Sequence, residues 1–398
     1  MLESLYEKMI ERKDQIQYEF DKLHEDIKIE DVNDKFNPHT FNKTTQDKTF
    51  ISTDGSHNNK KYLDGILYAV GAITLLSKPD ETITQESEES DVRTYPATNI
   101  ERYNQYISTY MEILELKNTL KTLKTYPDMI DYILIDGSLK GQLNHFNVNN
   151  DLNGHIKSVL TAIIKEFEKK LDNGQFNVEL DYYANIGYIK QQVIQEVKKW
   201  NDEELKDFNY DDYELEIQNY YTSLELLACI THLINNYSKK IICISKTSRT
   251  NSLFKEKIPD SAVLEYATSE AGYTNPDITD NKKLVRPLDE NRFTSMEYPL
   301  YNDKILKYHY ITLFTRLENK KQVIKVEIPL KDKDNRKIIE NNIEDILEDL
   351  YSCSINGYPY ILKKVHDNVV ITNKFMDRME LVYELKNKTK GREVLSYK

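Results

Sequence analysis

"MIDYILIDGSL", residues 129–139, is the stretch that decides the fold. Ile130, Tyr132, Ile133, Leu134 and Ile135 make a nearly continuous apolar run, closed by Asp136, Gly137 and Ser138. A short run that is apolar at successive positions predicts a strand buried on both faces of a sheet. Strands of this type mixed with long helical periodicities argue for an α/β fold. An acid at the carboxyl end of such a strand stands where α/β folds place their ligands.

The same triplet, Asp54-Gly55-Ser56, follows another short run in "FISTDGSHNN", residues 50–59. Residues 48–54 read as a strand ending at Asp54. Gly55 and Gly137 would let the chain turn sharply, and Ser56 and Ser138 would hydrogen-bond nearby backbone. If the two strands are neighbours they lie about 4.8 Å apart, with Asp54 and Asp136 facing each other across the ladder. Two ionised carboxylates that close repel, and one takes a proton unless a cation sits between them. A pair of divalent ions on such a cluster is the standard arrangement for phosphodiester hydrolysis. Oxygen-only ligands favour Mg²⁺ or Mn²⁺ over zinc. Asp-Gly is also a common turn, so the repetition, not one copy, points to a shared site.

Such a site needs a third acid. The long helical pattern at residues 99–126 offers Glu112 and Glu115, three apart and near one face; a solvated helix face explains either equally well. "KKIICISK", residues 239–246, is another buried strand, leaving Lys246 at its end with Thr247, Ser248 and Arg249 beyond. A cation and two hydroxyls could dock a phosphate there, or form a solvated loop. In "GYPYILKKVH", residues 357–366, Pro359 biases Tyr358 towards extended backbone. His366 is either a structural histidine or a group that moves a proton or contacts phosphate near neutral pH.

Outside these motifs, residues 1–28 read as one amphipathic helix, packed on its own domain or free for a dimer or partner contact. Residues 62–77 suggest a hairpin, and the acidic 78–99 stretch an exposed loop. Residues about 150–235 are mostly helical and read as an insertion or lid. "KYHYITLFTRL" and "QVIKVEIPL" predict two strands paired through "ENKK". A helix near 335–351 follows, then a loop, a final helix and a basic tail.

Composition narrows the function classes. A net charge of −12 argues against a general nucleic-acid binder with a basic face, but carboxylates that hold cations add to that count. No run approaches the ~18 apolar residues of a membrane span, and the charged N-terminus lacks a signal-peptide core. Cys229, Cys243 and Cys353 are scattered and odd in number, so no disulfide framework or zinc knuckle is expected and a reducing cytoplasm is the default. An actin- or hexokinase-like ATPase also uses Asp-Gly-Ser-like corners, but glycine is scarce and no Walker A sequence is present. A non-catalytic adaptor of a motor ATPase, with structural acids, is the other alternative.

Taken in order, Asp54 in "STDGSH", "LEL" at Leu114–Leu116, "ILIDGSL" with Asp136, "ISKTSR" around Lys246 and "GYPY" followed by His366 resemble the NurA nuclease family, over roughly residues 45–380. The resemblance implies an RNase H-like mixed-sheet core with flanking helices and a helical insertion. It implies a DNA nuclease dependent on Mn²⁺ or Mg²⁺, two ions per active site, with 5′→3′ exonuclease and single-strand endonuclease activity. It further implies a cytoplasmic homodimer working with a HerA-type hexameric ATPase in DNA end resection and double-strand break repair. Carried over, the metal ligands are Asp54, Glu115 and Asp136, with Glu112 still open as the third acid. Tyr358 and His366 match the family's late tyrosine and histidine. Lys246 and Arg249 would bind phosphate, and the loop near 246–255 and the basic tail could line a DNA channel. The chain then divides into residues 1–44 as a contact helix, 45–385 as the nuclease domain and 386–398 as the tail.

Overall fold

The computed structural model describes residues 3–25, 27–42, 44–62, 64–96, 100–145, 147–149, 152–199, 208–280, 292–294, 297–331 and 336–385. In chain order the strands are β1 (Phe36–Pro38), β2 (Phe50–Lys61), β3 (Gly65–Ser77), β4 (Ile83–Pro96), β5 (Tyr132–Asp136), β6 (Asn147–Asn149), β7 (Ile241–Ser245), β8 (Gly272–Thr274), β9 (Asp277–Asp280), β10 (Arg292–Thr294), β11 (His309–Arg316), β12 (Ile324–Leu330), β13 (Ser354–Ile355) and β14 (Tyr358–Pro359). The helices are α1 (Glu3–Glu11), α2 (Lys13–Lys22), α3 (Ile29–Asn33), α4 (Ile100–Thr125), α5 (Leu139–His145), α6 (Gly154–Asp172), α7 (Asp181–Ala184), α8 (Ile186–Val197), α9 (Tyr210–Tyr237), α10 (Asp260–Ala267), α11 (Arg336–Asn341), α12 (Ile343–Ser352), α13 (Tyr360–Val369) and α14 (Asn373–Val382).

Side-chain alternation sorts these elements into layers. Ile51, Ile133, Ile241 and Cys243 face one way and pack with α4, α6, α8 and α9. Phe50, Leu134, Ile242 and Ile244 face the other way and pack with α12 and α13. Both faces are covered, as the continuous apolar run of β5 requires. Ten strands form the sheet, in the order β1-β8-β11-β12-β7-β5-β2-β3-β4, with β9 on β11. β2, β3 and β4 form an antiparallel meander, β5 runs parallel to β2, and β7 parallel to β5. The expected β11–β12 hairpin is present, and β12 pairs antiparallel with β7. The result is a mixed α/β sheet flanked by helices.

Several sequence expectations need correction. β2 does not end at Asp54; it continues to Lys61, paired with β3 throughout. The acidic stretch after Lys78 is not a loop but holds β4, whose register with β3 spans Gly65↔Pro96 to Ser77↔Ile83. Its acids and serines sit on an edge strand, where charge discourages pairing with another chain. The N-terminal pattern is two helices, α1 and α2, rather than one; Leu5, Met9, Ile10, Ile16 and Phe20 are exposed on them. The helical character of 150–235 is seen in α6 to α9. Despite its polar approach, α9 lies deep in the core against α4 and α6. The basic tail, residues 386–398, lies outside the described residues. Cys229, Cys243 and Cys353 are all free and buried. Among the described residues no helix is long and apolar enough to cross a membrane.

Candidate active site

The two Asp-Gly-Ser triplets are built differently. Gly137 has φ +125°, a conformation that side chains other than glycine rarely adopt, and it turns the chain from β5 into α5. Gly55 is no turn: it is a strand residue within β2. Its lack of a side chain serves close approach instead. A Cβ on Gly55 would lie 2.5 Å from Glu115 Oε1 and 2.5 Å from Met111 Cγ, both from α4.

The β2–β5 ladder pairs Phe50 with Tyr132, Ile51 with Ile133 and Ser52 with Leu134, and then stops. Continued by two residues, that register aligns Asp54 with Asp136, so the acids stand where the two strands part. Alternation puts both on the α13 face of the sheet, the face of Phe50 and Leu134. Glu115 comes from α4 on the opposite face and reaches their level past Gly55.

Burial is the main influence on Asp54 and Glu115, and repulsion from neighbouring acids adds to it. Burial raises Asp54 above the usual carboxylate range; the hydrogen bond and charge of His366 and the Gly55 N–H work against that, while Asp136 adds repulsion. Glu115 is pushed well up by burial and then by Asp54 and Glu112, with a smaller push from Asp136. Glu112 is raised to about 7 by burial alone. Of the two helix acids, Glu115 is therefore the one whose ionisation depends on both strand acids.

The later motifs converge from the α13 side. His366 Nδ1 lies 2.8 Å from Asp54 Oδ2, while Gly55 N–H donates to Asp54 Oδ1 at 2.9 Å. Asn356 and Gly357, at φ 56° and 74°, close the β13–β14 hairpin that presents Tyr358. The Tyr358 side chain is buried, and its hydroxyl makes no full hydrogen bond. Burial pushes its pKa up, and the nearby Asp136 adds to this. Lys246, directly after β7, sets its ammonium 4.4 Å above the Tyr358 ring and 3.4 Å from Asp136 Oδ2. Arg249 is exposed, and no hydrogen bond or ion pair joins it to these acids.

Glu327 was passed over in the sequence reading. It accepts from Ser138 Oγ at 2.8 Å and from the Lys140 N–H at 3.0 Å, holding the corner after Asp136. Its only sequence signal is an acid set among the apolar residues of a buried strand. Among the described residues no group of three or more His, Cys, Asp or Glu side chains is placed so that it could hold a metal ion. Asp136 is turned to Lys246, and Asp54 to His366.

The model of the NurA domain family matches residues 48–371. The chain belongs to the NurA family. A curated relative, the probable DNA double-strand break repair nuclease NurA of Methanocaldococcus jannaschii, is 29% identical over 391 residues, covering 96% of this chain and 89% of its own. The DNA double-strand break repair nuclease NurA of Sulfurisphaera tokodaii is 24% identical, covering 98% and 97%. The crystal structure of the NurA nuclease from Sulfolobus solfataricus superposes with a TM-score of 0.66 at 23% identity, covering 98% of this chain and 99% of that one. A NurA crystal structure bound to dAMP and manganese gives 0.63 at 17% identity, covering 98% and 99%. At these identities the structures establish the shared fold.

Proposed function

We propose that this NurA-family chain is a divalent-metal-dependent deoxyribonuclease that hydrolyses phosphodiester bonds in DNA double-strand break repair. What supports the reading is that Asp54 and Asp136 end up level where β2 and β5 part, and that Glu115 of α4 is near enough to feel both charges. The acids also fit a metal chemically. Among the three carboxyl groups, Asp54 and Glu115 have their pKa values raised by burial and by neighbouring acids, a strain that a hard cation would relieve. Such donors suit Mn²⁺ or Mg²⁺. The order β4-β3-β2-β5-β7, with its antiparallel meander and two parallel steps, supports an RNase H-like core.

In this mechanism Asp54, Glu115 and Asp136 would hold the metal, with Glu115 taken over Glu112. Two ions, when bound, would lower the pKa of the attacking water and neutralise the leaving oxygen. His366 receives or returns a proton, its ring held by Asp54 through Nδ1 and largely open to solvent at 62% side-chain exposure. Lys246 steadies the scissile phosphate from its place between Asp136 and Tyr358, and Arg249 extends the cationic rim. Tyr358 supports the Lys246 ammonium with its ring face, and its hydroxyl is buried near Asp136.

The wider assignment follows the family resemblance: 5′→3′ exonuclease and single-strand endonuclease action, a homodimer, and a HerA-type hexameric ATPase as partner in end resection. The deciding experiment incubates the purified chain with end-labelled single- and double-stranded DNA, with Mn²⁺ or with EDTA. Cleavage is expected with Mn²⁺, and neither with EDTA nor in Asp136→Asn. An inactive wild type without a calorimetric Mn²⁺ site would instead favour the adaptor reading.

A further inference from the structure

The Asp136 corner rests on a buried acid for which the proposed chemistry has no use. Glu327 lies in mid-strand on β12, between Thr312 of β11 and Cys243 of β7, and is 1% exposed. A carboxylate inside a sheet carries a desolvation penalty that an apolar side chain of similar size would avoid. Its contacts are specific. Oε2 accepts from Ser138 Oγ at 2.8 Å, Oε1 accepts from the Lys140 N–H at 3.0 Å, and Lys325 Nζ lies 3.7 Å from Oε2. Ser138 already accepts from the Gly141 N–H at 2.9 Å, so α5 has a cap without Glu327. What Glu327 adds is a tie between this corner and a strand two places away in the sheet. The tie acts beside two others: Gly137 N–H donates to Ile244 O, and Ser245 Oγ donates to Gly137 O, both at 2.9 Å.

We infer that Glu327 is a positioning residue for Asp136. By drawing Ser138 and the start of α5 onto β12, it fixes the backbone just after Asp136. That holds the Asp136 carboxylate at the height of Asp54 where β2 and β5 part. The inference rests on the reading of Asp136 as a metal ligand. Groups that orient ligands are commonly worth about 10–100-fold in metal affinity.

The test titrates Mn²⁺ by calorimetry into wild type, Glu327→Leu, Glu327→Gln and Ser138→Ala, each checked for folding by circular dichroism. Glu327→Leu is expected to fold and lose about tenfold or more in Mn²⁺ affinity. Glu327→Gln keeps an acceptor oxygen for Lys140 and should recover much of that loss, a rescue that bulk packing would not produce. Should the leucine variant fail to fold, Ser138→Ala decides the matter, because it leaves Glu327 paired with Lys140 and Lys325 and is expected to weaken Mn²⁺ several-fold. Wild-type Mn²⁺ affinity in folded Glu327→Leu, or in Ser138→Ala where that variant decides, overturns the inference while leaving the nuclease reading intact. A wild type that binds no Mn²⁺ overturns the nuclease reading and the inference with it.

Discussion

His366 Nδ1 and Asp54 Oδ2 are 2.8 Å apart, joining α13 to the middle of β2 across 312 residues of sequence. The contact fixes the ring and leaves Nε2 towards solvent, an orientation suited to proton transfer. Asp54 itself is held above its ordinary range by burial and by Asp136. Asp54→Asn should therefore remove activity without harming the fold. Cleavage with Mn²⁺ is expected to fall by about 100-fold or more. The thermal midpoint in EDTA should stay level or rise, because a repelled acid is gone. His366→Asn should lower cleavage by about 100-fold. Wild-type rates in either variant would contradict these roles.

Gly55→Ala probes the passage between the two faces of the sheet. The added methyl would meet Glu115 Oε1 and Met111 Cγ, each at 2.5 Å. Glu115 Oε1 is the end of a flexible side chain but Met111 Cγ is not, so both side chains must shift, at a cost of about 1–3 kcal/mol. Glu115 must shift from its present place, so Mn²⁺ affinity should fall further than stability would suggest if Glu115 is a ligand. Calorimetry beside urea unfolding separates the two effects. An alanine variant with unchanged Mn²⁺ binding would show that Glu115 does not need its present approach.

How far the sequence revealed this site depends on which link carried the information. β5 was readable because an apolar run buried on both faces has few alternatives. Asp54 and Asp136 were readable because the triplet recurs. The extension of β2 through Gly55 to Lys61 was not, since "DGSHNNKK" carries turn and polar signals and only pairing with the apolar β3 holds it extended. β4 was missed for a similar reason: its acids and serines look like a loop by local composition, and only pairing with the apolar β3 holds it extended. The third acid stayed open because Glu112 and Glu115 differ by less than one helical turn. Only the position of Gly55 separates them. Glu327 gave almost no signal, because a single buried acid takes its meaning from residues on another strand.

The raised acids of the site give the metal-free chain a pH dependence of definite sign, which His57 and His232, both lowered by burial, oppose over part of the same range. Glu112 is raised to about 7 from an ordinary value of 4.5. The folded state then binds more protons than the unfolded state between those values. This contribution is fully present below about pH 4.5 and is lost as pH rises through about 7. Asp54 and Glu115 are also raised, so they act in the same direction. Glu86 is lowered, mainly by its Thr84 and Tyr126 hydrogen bonds, and loses its contribution only under more acidic conditions. In EDTA, the thermal midpoint should therefore be higher at about pH 5.5 than at about pH 8. Glu112→Gln should reduce that difference by stabilising the protein at the higher pH. A midpoint that climbs from pH 5.5 to 8 in wild type would overturn the account.

Lys117 and Glu225 supply the sharpest stability prediction. Their side chains are 1% and 0% exposed, with Lys117 Nζ 2.5 Å from Glu225 Oε1. Lys117 also donates to Glu179 O at 2.7 Å and lies 4.9 Å from the Phe167 ring centre. Glu225 accepts from the Asp181 N–H at 3.0 and 3.1 Å, and Asp181 Oδ2 accepts from the Tyr221 hydroxyl at 2.6 Å. This network joins α4, which carries Glu115, to α7 and α9. Lys117→Met would leave Glu225 buried without its counter-charge, and losing one partner of such a pair costs about 3–5 kcal/mol. Urea unfolding should show that loss. Replacing both partners, in Lys117→Met with Glu225→Met, removes the stranded charge and should restore part of the stability. Full recovery is not expected, because the Asp181 N–H would then lose its acceptor, and a buried donor left unpaired costs about 1–3 kcal/mol. If Lys117→Met proved as stable as wild type, Glu225 would have to be neutral in the folded protein, and the pair would not be the ionic tie that holds α4 to α9.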